Sequence, residues 1–125
     1  MELKKIHTEN APEAIGPYSQ AITVGDFVFT SGQIALVPSS GTVEAEDIVG
    51  QTEQVMKNLT AVLNAAGSSM EKAVKTTCFL ADMNDFAAFN EVYKKYFTSN
   101  PARSCVEVSK LPKNVIVEVE VIALV

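Results

Sequence analysis

The sequence has few of the residues on which metal and nucleophilic chemistry usually depend. It contains one histidine, His7, and two cysteines, Cys78 and Cys105, which are far apart and form no CxxC pair. A histidine-rich metal site is therefore excluded, and a Ser-His-Asp triad would have to use His7. No apolar run reaches the roughly 18 residues that a membrane span requires. We expect neither a bound metal ion nor a membrane helix.

A basic stripe is also lacking. The 10 Lys and Arg residues are scattered among 15 Asp and Glu residues, which gives a net charge of -5. Nucleic-acid-binding proteins usually have such a stripe, because phosphate contacts supply most of the affinity. An acidic surface also disfavours anionic membranes. Residues 1–5 lack the apolar core of a signal peptide. We expect a reduced, cytoplasmic protein that binds neither nucleic acid nor membranes.

Length and periodicity predict one α+β domain over residues 1–125. Apolar residues at three- and four-residue steps predict helices over 45–66 and 85–97, the second with Asn84 as its N-cap. Turn residues predict a loop at 38–41. Strands are predicted at residues 22–24, 27–30, 74–80, 104–108 and 115–125, the first two as a hairpin. The order of elements predicts two helices packed on one face of a sheet.

The last predicted strand has the most informative pattern. Side chains alternate between the two faces of a strand. One face should lie under the helices and is entirely apolar, with Val115, Val117, Val119, Val121 and Ala123. The other face holds Ile116, Glu118, Glu120, Ile122 and Leu124. A face open to water would not usually carry two isoleucines and a leucine, so we expect another subunit to cover it.

Two carboxylates lie on that second face. Glu118 and Glu120 would be about 7 Å apart along the strand. A covered carboxylate needs a cation or strong hydrogen-bond donors, because otherwise burial raises its pKa. We expect the cation to be Arg103, on the neighbouring strand, where Cys105 shares its face. Two interpretations stay open: a structural ion pair, which periodicity alone favours, or a site for a small carboxylate with a base beside it.

These residues also resemble the C-terminal signature of the Rid (YjgF) family. Residues 101–108 read PARSCVEV, and residues 117–123 read VEVEVIA. Further matching segments occur in order along almost the whole chain: residues 10–12, 15–21, 30–34, 74–77, 82–86 and 111–113. Each segment alone would be weak, but their order and spacing together are specific to the family.

The resemblance implies a chorismate-mutase-like fold, in which two helices pack on one face of a sheet. It implies a homotrimer that encloses a central β-barrel, with a site in each cleft between subunits. The expected activity is hydrolytic deamination of the 2-imino acids derived from 2-aminoacrylate and 2-aminocrotonate, which gives 2-keto acids and ammonia. The expected partners are a small-molecule 2-imino acid and two further copies of the chain, and no cofactor is expected.

The resemblance also implies roles for individual residues. Arg103 matches the arginine that binds the substrate carboxylate, a task that suits its planar fork. Cys105 matches a position that contributes a backbone N–H to the same ligand. Glu118 matches the acid that activates water, and Tyr18 matches a tyrosine whose hydroxyl faces the substrate. Ser31, Gly32 and Asn90 match residues that line the pocket.

Most of these residues have an alternative interpretation. Arg103 could neutralise Glu118 or Glu120, and Glu118 could be a buried carboxylate held by donors. Tyr18 could be an interface aromatic residue with a satisfied hydroxyl. The Ser31 hydroxyl could support the turn at Gly32, Asn90 could bind backbone, and Cys105 could be a reactive thiol.

The function of the whole chain has alternatives too. It could be a non-catalytic module that binds 2-keto acids, or an endoribonuclease or translation inhibitor, which the acidic charge disfavours. The chain also departs from many relatives in having only Thr98, Ser99 and Asn100 between Phe97 and Pro101. That short loop borders the expected site, so it bears on the size of the preferred substrate.

Overall fold

The structure is a computed structural model that describes residues 1–125. The helices and strands follow one another in this order: β1 (Lys4–Ile6), β2 (Ala21–Val24), β3 (Phe27–Thr30), β4 (Leu36–Val37), β5 (Thr42–Val43), α1 (Ile48–Ala65), β6 (Ala73–Leu80), α2 (Phe86–Tyr96), β7 (Ala102–Glu107) and β8 (Val117–Leu124). Short 3-10 turns lie at Met70–Lys72, Met83–Asp85 and Pro112–Asn114. The predicted α+β class is confirmed.

One large sheet organises the domain. Six strands pair in the order β1-β2-β3-β8-β6-β7, and β4 pairs with β5 in a separate hairpin. All neighbours in the large sheet are antiparallel except β6 and β7, which are parallel. A parallel pair needs a crossover connection, and α2 supplies it between these strands. The sheet is therefore mixed, and β7 is its edge strand beside α2.

The core lies between the helices and one face of the sheet. Val117, Val119, Val121 and Ala123 of β8 are buried on that face, as the alternation predicted. Helix α1 packs its regularly spaced apolar residues against them, with Val55, Leu59 and Val62 fully buried. Each fully buried side chain of this kind contributes about 1.5–3 kcal/mol of transfer free energy. This packing fixes which face of the sheet the helices cover.

Local capping explains where the helices differ from prediction. Helix α1 begins at Ile48 rather than residue 45, because the Asp47 carboxylate accepts the Gly50 N–H (2.8 Å) and caps the first turn. The predicted N-cap of the second helix, Asn84, is wrong. Asp82 instead accepts the Asn84 N–H (2.9 Å) and caps a 3-10 turn, after which α2 runs to Tyr96.

Strand boundaries differ from prediction for similar reasons. The predicted β2–β3 hairpin is confirmed, with Gly25 at a φ of 57° in its turn. The loop at 38–41 is the tip of the β4–β5 hairpin, whose two-residue strands are too short to leave a periodic pattern. Strand β8 begins at Val117 rather than residue 115, because the Ile116 N–H donates to Gln51 Oε1 (3.0 Å) on α1.

The second face of the sheet is open in the single chain. Apolar side chains remain partly exposed across it, including Phe29 at 42%, Leu124 at 43% and Val106 at 46%. Glu118 and Glu120 lie on the same face, as predicted. None of the helices combines the length and the apolar character needed to cross a membrane.

Candidate active site

The predicted site residues form two clusters. Tyr18, Ser31, Gly32 and Glu118 line one cavity, which we name the Glu118 cavity. Arg103 and Asn90 line a second cavity, which we name the Arg103 seat, and Cys105 lies two residues further along β7. The two clusters are on opposite faces of the sheet.

Strand register establishes this separation. Thr76 on β6 pairs with Arg103 on one side and with Val121 on the other, so Arg103 shares the helix-covered face. Phe79 pairs with Glu118, which puts Glu118 on the open face. The expectation that Arg103 lies on the strand next to Glu118 is wrong, because β6 separates β7 from β8. An ion pair between Arg103 and Glu118 within one chain is excluded.

The Glu118 cavity has a volume of about 580 Å³. Glu118 projects into it from β8, and Lys113 lines it from the preceding turn with φ at 55°, a conformation rare for a residue with a side chain. Burial, and then the negative charge of Glu120, raise the pKa of the Glu118 carboxyl above its ordinary value. A carboxyl with a raised pKa is a stronger base once it is ionised, which suits proton transfer.

Gly32 lies directly against Glu118. The residue after it, Gln33, exchanges backbone hydrogen bonds with Val119 (2.9 and 3.2 Å), which holds the loop beside β8. A Cβ atom on Gly32 would overlap the Glu118 carboxylate. Glycine at this position therefore leaves the room that the carboxylate occupies.

Ser31 and Tyr18 differ in how free their hydroxyls are. The Ser31 hydroxyl donates to the Ser19 carbonyl (2.6 Å), so its proton is used to hold two segments of backbone together. This contact fits the structural alternative for Ser31, although the oxygen can still accept a hydrogen bond. The Tyr18 side chain is 52% exposed at the cavity, on a turn where Gly16 adopts a φ of 132°. Its position fits a residue that faces a ligand or a second chain.

The Arg103 guanidinium is held by neutral neighbours. Its Nη1 donates to Asn90 Oδ1 (2.7 Å), and its Cζ lies 4.7 Å from the ring centroid of Tyr93 and 5.4 Å from that of Phe86. The alternative in which Asn90 binds backbone is therefore wrong. The ion pairs of the chain involve other residues: His7 with Glu13, Lys94 with Glu91 and Lys95 with Glu53. The alternative in which Arg103 neutralises Glu118 or Glu120 of its own chain is also wrong.

The backbone near Arg103 adds a second kind of donor. The Val108 N–H donates to the Leu80 carbonyl (2.9 Å), so the even-numbered residues of β7 point their N–H groups toward β6. Because successive N–H groups of a strand alternate in direction, those of Arg103 and Cys105 point to the free edge of the sheet. The position of Cys105 therefore fits donation of a backbone N–H to a ligand beside Arg103.

The side chains of Cys105 and Cys78 do not have the properties of reactive thiols. Burial raises the pKa of Cys105, and it raises the pKa of its strand neighbour Cys78 to about 12. A thiol is nucleophilic mainly as the thiolate, so these values disfavour a reactive cysteine at neutral pH.

Sequence reasoning missed the aromatic part of the Arg103 seat. Helical spacing alone puts Phe86 and Tyr93 on one aromatic face of the second helix. Their seven-residue separation on α2 places both rings along β7, where they also meet the guanidinium. Helical spacing identifies the buried face but not the cation that the face contacts.

The two clusters suit two different tasks, binding a carboxylate and activating water. The Arg103 seat offers a planar cation without a carboxylate partner and outward backbone N–H groups, which suit a small carboxylate. The Glu118 cavity offers a carboxyl of raised pKa, which suits activation of water. A ligand could use both only where the two clusters of different chains meet.

Comparison with known proteins identifies the group to which the chain belongs. Residues 8–125 match the family model described as Endoribonuclease L-PSP. The chain is 56% identical to a RutC family protein of Pyrococcus horikoshii over 119 residues, covering 94% of each chain. It is 50% identical to the 2-iminobutanoate/2-iminopropanoate deaminase of Salmonella typhimurium over 125 residues, covering 97% of each chain.

Solved structures agree with these sequence matches. The crystal structure of the YjgF gene product of E. coli superposes with a TM-score of 0.92 at 48% identity, covering 97% of this chain and 98% of that one. The crystal structure of E. coli TdcF with bound serine gives a TM-score of 0.92 at 46% identity, covering 98% of each chain. The chain belongs to the Rid (YjgF) family.

Proposed function

We propose that the chain is a deaminase that hydrolyses short 2-imino acids to 2-keto acids and ammonia. The observation that carries the proposal is the Arg103 guanidinium, which is oriented by Asn90 and has no carboxylate partner in its own chain. Relatives named as 2-iminobutanoate/2-iminopropanoate deaminases, about 50% identical over almost the full length, support the same conclusion.

The proposal requires two chains at each site. Arg103 and Glu118 lie on opposite faces of one sheet, so a substrate that touches both must lie between subunits. The open face, with Phe29 and Leu124 partly exposed, is the kind of apolar surface that a subunit interface covers. We propose a homotrimer, in which the Arg103 seat of one chain meets the Glu118 cavity of the next.

The substrate carboxylate would bind the Arg103 fork and the Cys105 backbone N–H. This contact fixes the imine carbon where the Glu118 carboxylate of the neighbouring chain can aim water at it. Glu118 accepts a proton from the water as the water oxygen bonds to the imine carbon. The electrons of the C=N π bond move to the nitrogen, which takes up a proton from solvent, and a tetrahedral amino alcohol forms. Protonated Glu118 then gives its proton to the amino nitrogen, the C–N bond breaks, and ammonia leaves as the hydroxyl loses its proton to solvent and becomes the keto carbonyl.

Other residues support this step in the proposal. The Tyr18 hydroxyl would hydrogen-bond the reacting nitrogen or oxygen, and Gly32 would keep the room beside Glu118 free. The imine carbon is already electrophilic, so positioning and a base are sufficient and the proposed reaction uses no cofactor.

A coupled assay tests the proposal. Threonine dehydratase and threonine generate the imine in solution, and semicarbazide traps it. We expect added protein to compete with the trap and to raise free 2-oxobutanoate, and we expect Arg103→Ala to remove that effect. The matched control is Arg103→Lys, which keeps the charge but loses the bidentate fork and should retain partial activity.

A second candidate is a non-catalytic module that binds 2-keto or amino acids. The related E. coli TdcF, crystallised with serine bound, favours this candidate. The same assay separates the two, since a binding module would leave the trapped fraction unchanged while still binding 2-oxobutanoate in calorimetry.

A further inference from the structure

Arg103 can bind a carboxylate through two parallel hydrogen bonds only if the plane of its guanidinium is fixed. The hydrogen bond from Nη1 to Asn90 leaves that plane free to turn about the bond. The ring of Tyr93, 4.7 Å from Cζ, supplies the second constraint. We infer that Tyr93 is a positioning residue for Arg103 and that Thr76 fixes Tyr93 in turn.

The Tyr93 ring is itself held at both ends. It is 7% exposed and packs between Phe97, with ring centroids 4.7 Å apart, and Phe89, with centroids 5.6 Å apart. Its hydroxyl lies 2.7 Å from the Thr76 hydroxyl in a buried hydrogen bond. Packing against the two phenylalanines fixes the position of the Tyr93 ring, and the hydrogen bond fixes its hydroxyl beside Thr76 on β6.

Thr76 is the strand partner of Arg103. The two residues pair across the parallel β6–β7 register, so their backbones are held side by side. The contacts therefore form a closed ring: Arg103 stacks on Tyr93, Tyr93 bonds to Thr76, and strand pairing joins Thr76 back to Arg103. The guanidinium plane is thus fixed relative to the same point of the sheet from which Arg103 projects.

The inference rests on the proposed use of Arg103 as a carboxylate receptor, but not on catalysis. Its test can therefore use equilibrium binding of pyruvate, with the neutral amide pyruvamide as the reference ligand. Only pyruvate carries the carboxylate that a correctly turned Arg103 would recognise, so the ratio of the two affinities reports on the orientation of Arg103.

The test compares Thr76→Val and Tyr93→Phe, which keep shape and remove the same hydrogen bond. We expect each to weaken pyruvate binding about three- to tenfold and to leave pyruvamide binding unchanged. The double variant should be no weaker than Thr76→Val alone, because both substitutions remove the same Thr76–Tyr93 hydrogen bond. Thr76→Ser should restore pyruvate affinity. Tyr96→Phe is the matched control, since it removes a hydroxyl of the same helix that bonds Glu53 (2.6 Å) instead.

The outcomes are distinct. Equal losses of pyruvate and pyruvamide affinity would show a general structural effect and overturn the inference, as would wild-type pyruvate binding by Thr76→Val. A wild-type protein that binds no pyruvate would also overturn it, since Arg103 would then hold no carboxylate. Failure of the proposed function would give a different result: the protein would not hydrolyse imines, but its pyruvate binding would still depend on Thr76 and Tyr93.

Discussion

Arg103 and Glu118 project from opposite faces of one sheet, with strand β6 between the strands that carry them. Neither side chain has an oppositely charged partner in its own chain. A site that needs both a carboxylate receptor and a base is therefore incomplete in one chain. The separation makes assembly a requirement of the proposed chemistry.

Mixed oligomers test this requirement directly. We expect Arg103→Ala and Glu118→Ala to be inactive alone, because each lacks one half of every site. When the two variants are co-expressed, a site formed by Arg103 of one chain and Glu118 of another is intact. In the proposed trimer, every mixed ring has one intact site of its three, so the purified mixed protein should show about one third of the wild-type activity. The measurement is imine hydrolysis by the mixed protein, purified through a different tag on each variant.

The control is each variant carrying both tags and purified in the same way, which should stay inactive. No recovery of activity, from a mixed oligomer shown to contain both chains, would contradict a site shared between chains. A monomer by light scattering would contradict it as well.

Glu118 and Glu120 allow a matched comparison, since both lie on the open face of β8. Glu118→Gln removes the proposed base at nearly constant shape, and we expect kcat to fall by about 10²–10⁴-fold. Pyruvate affinity should change little, because Arg103 is untouched. Glu120→Gln should retain activity at a pH well above the pKa of Glu118. Steady-state kinetics and calorimetry measure both effects, and unchanged turnover in Glu118→Gln would show that another group activates the water.

The fold was predictable from sequence wherever a periodic pattern was long enough. The alternation in β8 identified its buried valines, and the three- and four-residue steps predicted the helix in which Val55, Leu59 and Val62 are buried. Short features left no such pattern: β4 and β5 have two residues each. The start of α1 was missed because a capping residue sets it. Asp47, which is not part of the apolar pattern, accepts a backbone N–H of the first turn.

The site was predictable in its residue types but not in its arrangement. Alternation assigns a residue to one of two faces of its strand, yet it does not say which strands are neighbours. The crossover through α2 pairs β6 with β7, and β8 pairs with the other edge of β6; the register of these two pairings puts Arg103 on the helix side. The stacking of Arg103 on Tyr93 depends on the same pairing, so no local pattern could have predicted it.

The pKa of Glu118 gives a prediction with a definite sign. Burial, and then the charge of Glu120, raise this pKa, and a base must be ionised to accept a proton. Activity should therefore fall as the pH drops through the raised pKa. Glu120→Gln removes the second cause and lowers the pKa of Glu118, so the acid limb of the kcat/KM profile should move to lower pH.

Glu107→Gln is the control for this shift. Glu107 lies on β7 and pairs with Leu80, so it is on the opposite face of the sheet from Glu118, and its carboxylate accepts the Met83 N–H (2.8 Å), which a glutamine oxygen can also accept. Its pH profile should match that of the wild type. An acid limb that moves equally in both variants would point to a change in net charge rather than to the neighbour of Glu118.

Gly32→Ala tests the close contact between Gly32 and Glu118. The added methyl group would overlap the Glu118 carboxylate, so the carboxylate must swing away and kcat should fall at least about tenfold. Gly32 does not adopt a positive φ, so its backbone conformation is open to alanine.

The stability of the same substitution in a Glu118→Ala background provides the control. There the Glu118 carboxylate is absent, and Gly32→Ala should stabilise the fold by about 0.4–1 kcal/mol by reducing the entropy of the unfolded chain. Chemical denaturation of the two pairs of proteins measures the difference. An equal effect of Gly32→Ala on stability in both backgrounds, with kcat unchanged in the first, would show that Glu118 does not depend on the space beside Gly32.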